Sequence, residues 1–178
     1  PTPSGGTVTD TAAPDTFANV TGTLTATDAE GSTLAFGAQG VTPVSGSSSI
    51  DGAYGTLTVV SGGGWTYVPD AAAINALSAN TSDAFTITAS DGSLVGTATL
   101  TIAITAANDT PVMPVPSGGT VVDTAGTDSF FPITGAVTSS DAEGTARTYG
   151  IDSGASTVTT LAGAYGTLVI DAADGSWT

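Results

Sequence analysis

Three short stretches of this chain have residue types suited to chemistry: Asn108-Asp109, just ahead of Thr110-Pro111, and the tetrapeptides Asp28-Ala29-Glu30-Gly31 and Asp141-Ala142-Glu143-Gly144. Their donors are carboxylate and amide oxygens. Calcium takes about six to eight oxygen ligands, and hard oxygens without imidazole or thiolate select it over zinc or copper. The chain has no His, no Cys and no Lys, and its single base is Arg147. The usual nucleophile–base pairs, Schiff-base chemistry and histidine metal sites are therefore excluded, and the function expected is non-enzymatic. A carboxylate pair acting on glycans is the enzymatic chemistry left open, but the acids fall in turns at domain ends and not around an evident cleft.

Each stretch also has a plainer use. Asn-Asp before proline makes an Asx turn, Asp-Ala-Glu-Gly makes a simple turn, and Asp91-Gly92 is the commonest short hairpin signal. Asp10, Asp70, Asp83 and Asp123 suit the domain ends, where caps and turns use the same residue.

Charge and length narrow the partners. Sixteen acidic residues against one basic leave a net charge of −15, which repels nucleic acid and other phosphate-bearing partners. No apolar run approaches a membrane span, so no membrane insertion is expected, and no basic stretch leads into an apolar one as in a signal peptide. Apolar residues at 40% can supply a core. The lack of cysteine rules out disulfides without fixing the compartment, because a sandwich of this size buries enough surface without them.

The elements that must position these residues occur twice. Ser4-Gly5-Gly6-Thr7-Val8 returns as Ser117-Gly118-Gly119-Thr120-Val121, and Gly52-Ala53-Tyr54-Gly55-Thr56-Leu57 returns as Gly163-Ala164-Tyr165-Gly166-Thr167-Leu168. A period this long is a whole domain, not a solenoid turn. The organisation expected is a complete domain over 1–107, a linker over 108–116, and the N-terminal part of a second domain over 117–178, truncated or completed in trans.

Within the first copy, Val20, Gly22, Leu24 and Ala26 alternate with threonines, a period of two that puts apolar groups on one face of a strand. Strands are likewise predicted at 7–9, 34–36, 56–59, 65–68, 85–89 and 97–104. The 56–59 and 65–68 pair should form a hairpin around Gly62-Gly63-Gly64. Asp70 caps a predicted helical turn over 70–77. Seven strands at this spacing predict an all-β fold, a Greek-key sandwich of immunoglobulin-like type. The second copy stops at Trp177-Thr178, the match of Trp65-Thr66, without counterparts of the last two strands. Trp65, Tyr67, Tyr54 and Phe36, matched by Trp177, Tyr165 and Tyr149, read as core aromatics before they read as a sugar platform.

Gly64-Trp65-Thr66-Tyr67-Val68-Pro69-Asp70, Asp83-Ala84-Phe85-Thr86-Ile87, Ser90-Asp91-Gly92, and Thr101-Ile102-Ala103-Ile104 leading into Asn108-Asp109-Thr110-Pro111 resemble the bacterial VCBS and cadherin-like repeats. The resemblance implies tandem cadherin-like sandwiches of a large secreted, cell-surface adhesin, with neighbouring repeats as partners. It also implies an Asn-Asp linker that meets the acidic loop of the following domain, so that one calcium is held by Asn108, Asp109, Asp141 and Glu143. Asp28 and Glu30 would then face a preceding domain in the same way. Many relatives have two aspartates where this loop reads Asp-Ala-Glu, so Asp28 and Asp141 are the firmer ligands. The function expected is a calcium-rigidified stalk, fibre or surface-layer segment; the alternative is an adhesive module for carbohydrate or a cell-surface ligand.

Overall fold

Strands in which every second residue is apolar have one face to bury, and two such sheets bury each other. The structure, a computed structural model, describes residues 1, 3–154 and 157–178. By contacts the chain divides into unit 1, Pro1–Asp109, and unit 2, Thr110–Thr178. Unit 1 comprises β1 (Gly6–Thr9), β2 (Val20–Thr23), β3 (Ala35–Ala38), β4 (Ser47–Asp51), β5 (Gly55–Val60), β6 (Gly64–Pro69), α1 (Ala71–Asn75), β7 (Thr81–Ser90) and β8 (Val95–Thr105). One sheet has the order β1-β8-β7-β3 and the other β2-β6-β5-β4. All pairings are antiparallel except β1 with β8, which runs parallel with Gly6 opposite Ile102 and Thr9 opposite Thr105.

The core lies between the sheets. Leu57, Val59, Trp65 and Tyr67 from one meet Val8, Phe85, Ile87, Leu100, Ile102 and Ile104 from the other. Every one of these sits on the inward side of a period-two pattern. Asp70 caps α1 as expected, accepting from the amides of Ala72 and Ala73, and Ile74 drives the helical turn into the core. The β5–β6 turn needs Gly63, whose φ of +90° few other residues adopt and where a Cβ would meet the Leu24 carbonyl at 2.9 Å.

The strand count departs from the seven expected. An eighth strand, β4, pairs with β5 from Ser47↔Val60 to Asp51↔Thr56. Its inward Ser48 is fully buried and its hydroxyl accepts from the Ala38 amide at 2.8 Å, so a polar side chain holds a position where alternation leads one to look for an apolar one.

Unit 2 repeats the frame of unit 1 with shorter strands: β9 (Gly135–Ala136), β10 (Ile151–Asp152), β11 (Thr157–Val158), β12 (Thr160–Ala162), β13 (Thr167–Val169) and β14 (Ser176–Trp177). They pair as β9–β14, β10–β11 and β12–β13. The likeness to unit 1 extends to single bonds. Val137 donates to Gly175 as Leu24 does to Gly63, and Tyr149 to Ala172 as Phe36 does to Ser61. Gly135 lies beneath the Trp177 ring as Gly22 lies beneath Trp65, and in both places a Cβ would come within about 2.6 Å of the indole.

Candidate metal centre

Most carboxylates in the chain are turn or cap acceptors. Asp28 Oδ1 accepts from the amides of Glu30 (3.1 Å) and Ser32 (2.8 Å), closing an Asx turn in which Asp28 is half-buried and Glu30 exposed. Asp91 Oδ1 accepts from Ser93 and Leu94, both at 2.7 Å, as the hairpin reading of Asp91-Gly92 requires. Asp15 and Asp128 close the same turn in each unit, accepting from Thr11 and Thr124.

Three aspartates in unit 1 differ by being buried: Asp10, Asp83 and Asp109. Asp83 is fully used inside the fold. Its carboxylate accepts from the Ala53 amide (2.9 Å), the Tyr54 amide (3.0 Å) and the Tyr67 hydroxyl (2.7 Å). Burial first, and then that bond, raise the Tyr67 pKa and keep its hydroxyl protonated. Asp83 is thus a latch between the 52–55 turn and the core.

Asp10 and Asp109 stand at the end of unit 1 from which the chain leaves. Asp10 continues the parallel β1–β8 ladder: its amide donates to the Thr105 carbonyl at 3.0 Å, and its Oδ2 accepts from the Ala107 amide at 3.2 Å. Its Oδ1 is buried and meets no hydrogen-bond donor. A buried carboxylate oxygen left in that state is costly unless something positive faces it. Asp109 is 2% exposed. Asn108 is exposed, and its Nδ2 donates to the Asp109 carbonyl at 2.9 Å, the local turn chemistry that competes with a ligand role.

Asp141 and Glu143 occupy the acidic loop of unit 2, at the end where the chain arrives, because Val112 and Ser140 exchange hydrogen bonds of 2.8 and 2.9 Å. Asp141 Oδ1 accepts from the Thr145 amide at 2.9 Å and hydroxyl at 2.8 Å, while its Oδ2 is shielded from solvent. The Thr145 hydroxyl and amide, with the nearby Arg147 guanidinium, hold the Asp141 carboxyl below the usual carboxylate range. Arg147, the counterpart of Leu34, donates from Nη1 to the Thr145 carbonyl at 3.2 Å. This loop therefore already has a cation beside it, which the Asp28 loop lacks.

Among the described residues, no three Asp, Glu, His or Cys side chains gather into a group that could hold a metal ion. The donors nonetheless fit a calcium ion in kind. They are hard oxygens, one of them the donorless Asp10 Oδ1, with backbone carbonyls and water available to complete a shell. Asn108 and Asp109 lie in unit 1 and Asp141 and Glu143 in unit 2.

Asp10 was hard to single out from sequence, although a signal was there. Val8 points inward, so two residues on an aspartate falls in the same inward register, where it must find a partner. Asp83 carries the same signal, in register with Phe85, Ile87 and Ala89.

No curated protein matches the chain. The family model of the bacterial cadherin-like domain matches residues 1–106, nearly all of unit 1. With the two-sheet fold and the duplicated frame, this places the chain in the bacterial cadherin-like domain family.

Proposed function

We propose that this chain is a segment of an extracellular stalk or surface fibre in which repeats are strung end to end and calcium stiffens the joint between them. Bacterial cadherin-like domains are typically extracellular structural or adhesive modules, generally without enzymatic activity. Among the described residues no helix is long and apolar enough to cross a membrane.

The observation that carries the reading is the parallel pairing of β1 with β8. Pro1 lies against Gly96, at the start of β8, and the chain leaves past Thr105 at the other end. Along a strand each residue advances about 3.3 Å, so each such unit adds length in a series. On unit 1 the aromatic rings serve the core: Trp65 and Tyr67 are buried in it, and Phe36 and Tyr54 pack against it. That use of the rings favours the spacer over a carbohydrate platform.

In this proposal Asp10 joins Asn108, Asp109, Asp141 and Glu143 as a calcium ligand, and Asp28 with Glu30 serves a preceding repeat. A site with Kd of about 0.1–1 mM adds about 0.4–1.4 kcal/mol at about 1 mM calcium. Asp10→Asn tests it by sign. In chelator the substitution exchanges an oxygen without a donor for an amide, so stability is unchanged or higher; in calcium the variant loses the stabilisation that the parent gains. Chelation should also broaden the small-angle scattering profile as the joint loosens. A melting temperature indifferent to calcium in both proteins, with an unchanged profile, sinks the proposal.

A further inference from the structure

The two acidic loops share a backbone and differ in what stands behind them. Gly31 and Gly144 close the same turn, with φ of +78° and +69° and amides that donate to the Asp28 and Asp141 carbonyls at 3.3 and 3.2 Å. Around that turn unit 1 has Ala26, Ser32, Leu34 and Phe36, and unit 2 has Ser139, Thr145, Arg147 and Tyr149 at the same positions. An apolar support in one unit is a polar one in the other.

The replacements touch one another. Thr145 gives Asp141 Oδ1 a hydroxyl bond of 2.8 Å beside its amide bond of 2.9 Å, where Ser32 gives Asp28 its amide at 2.8 Å. Arg147 Nη1 donates to the Thr145 carbonyl at 3.2 Å, and its charge lies close enough to Asp141 to favour the ionised carboxylate. The Tyr149 hydroxyl accepts from Ser139 Oγ at 3.3 Å and faces the same guanidinium. Arg147 is half-buried although Ala146 and Thr148 on either side of it are exposed, so its side chain lies against the loop and not out in water. The chain has one basic side chain against sixteen acids, and it stands at one acidic loop of the two. A divalent ion and a guanidinium within reach of the same carboxylate repel each other, and each neutralises charge that the other would otherwise meet.

We propose that Arg147 is the resident counter-ion of the Asp141 loop: it braces the loop without calcium and lowers the affinity of Asp141 and Glu143 for the ion, whereas the Asp28 loop, backed by Leu34, has no such brace. The calcium half of this rests on the stiffened-joint reading above; the bracing half does not. The two loops of one chain then answer to different calcium concentrations.

The test follows single amides of the full chain by heteronuclear NMR, first in chelator and then through a titration with calcium chloride alone. In chelator, Arg147→Leu should speed hydrogen exchange at the Thr145 amide about threefold or more and leave the Ser32 amide unchanged. In the titration, the half-saturation point read at Gly144 and Thr145 should fall about three- to tenfold in Arg147→Leu and stay within about twofold of the parent in Arg147→Lys, which keeps the charge. The difference should shrink in about 1 M salt, as an electrostatic effect does and a merely structural one does not. Leu34→Arg makes the converse change in the other unit, so it serves even if Arg147→Leu unfolds unit 2; it should raise the half-saturation point at Gly31 and Ser32 about threefold or more. Unchanged Thr145 exchange in chelator overturns the inference. So does a calcium affinity that Arg147→Leu leaves unchanged or weakens, or that Leu34→Arg leaves unchanged. If calcium shifts no amide of either loop in any of these proteins, the stiffened-joint reading fails, and Thr145 exchange alone decides for or against Arg147 as the brace.

Discussion

Replacing Asp83 with alanine takes the acceptor from three donors at once: the amides of Ala53 and Tyr54 and the hydroxyl of Tyr67. A buried donor left without an acceptor costs about 1–3 kcal/mol. Tyr67 is wholly buried, whereas the 52–55 turn is partly open and water can reach its amides, so the total is about 3–5 kcal/mol, in the range for breaking a buried polar network. At about 4–8 °C per kcal/mol for a domain near this size, unit 1 should melt roughly 15–30 °C lower. Asp83→Asn keeps the shape but turns an NH2 towards a donor, and should lose about 2–3 kcal/mol. Tyr67→Phe removes one donor and leaves the other two satisfied, at about 1–2 kcal/mol. In the Asp83→Ala background, Tyr67→Phe removes the buried donor that was left without an acceptor and should restore about 1–2 kcal/mol instead of costing it. Urea unfolding followed by Trp65 fluorescence in a Trp177→Phe background isolates unit 1. An Asp83→Ala protein within about 1 kcal/mol of its parent, or a cycle that is simply additive, would refute the latch.

Alanine at Gly22 drives a Cβ to about 2.6 Å from a Trp65 ring that is 4% exposed and has nowhere to go; unit 1 should lose about 2–3 kcal/mol in urea unfolding. The same change at Gly135 meets the half-exposed Trp177, which can tilt outward, and should cost under about 1 kcal/mol. At alkaline pH, Tyr67 gives a signed expectation. Its folded pKa is raised above the ordinary value of about 10, so its contribution to stability is complete below pH 10 and is lost as pH rises beyond it. Tyrosinate absorbance should therefore appear together with unfolding of unit 1, and Tyr67→Phe should flatten that decline.

The sandwich was legible because its signal is local. Threonine alternating with Val, Ile, Leu or an aromatic marks strands residue by residue, and Gly62-Gly63-Gly64 and Asp91-Gly92 mark turns whose backbone few other residues adopt. β4 escaped because Ser47-Ser48-Ser49 has the composition of a loop, and its pairing with β5 only becomes visible once Ser48 reaches across to Ala38. β7 begins at Thr81, earlier than alternation showed, since Asp83 fills an inward position with a charged residue type. The candidate site divides the same way. The turns at Asp28 and Asp91 follow from neighbours two to four residues away. Asp10 depends on Ala107, ninety-seven residues on, and such partners are set by the ladder, not by local sequence.

The direction of β1 has a mechanical consequence. Tension applied to the two ends of unit 1 draws β1 and β8 past each other along their length, since the ends emerge at opposite extremes of a parallel pair. Every bond from Gly6 to the Asp10 amide is then strained together in shear, whereas an antiparallel hairpin pulled from its open ends parts one rung at a time. The four residues of β1, not the aromatic core, set the force at which the unit first yields.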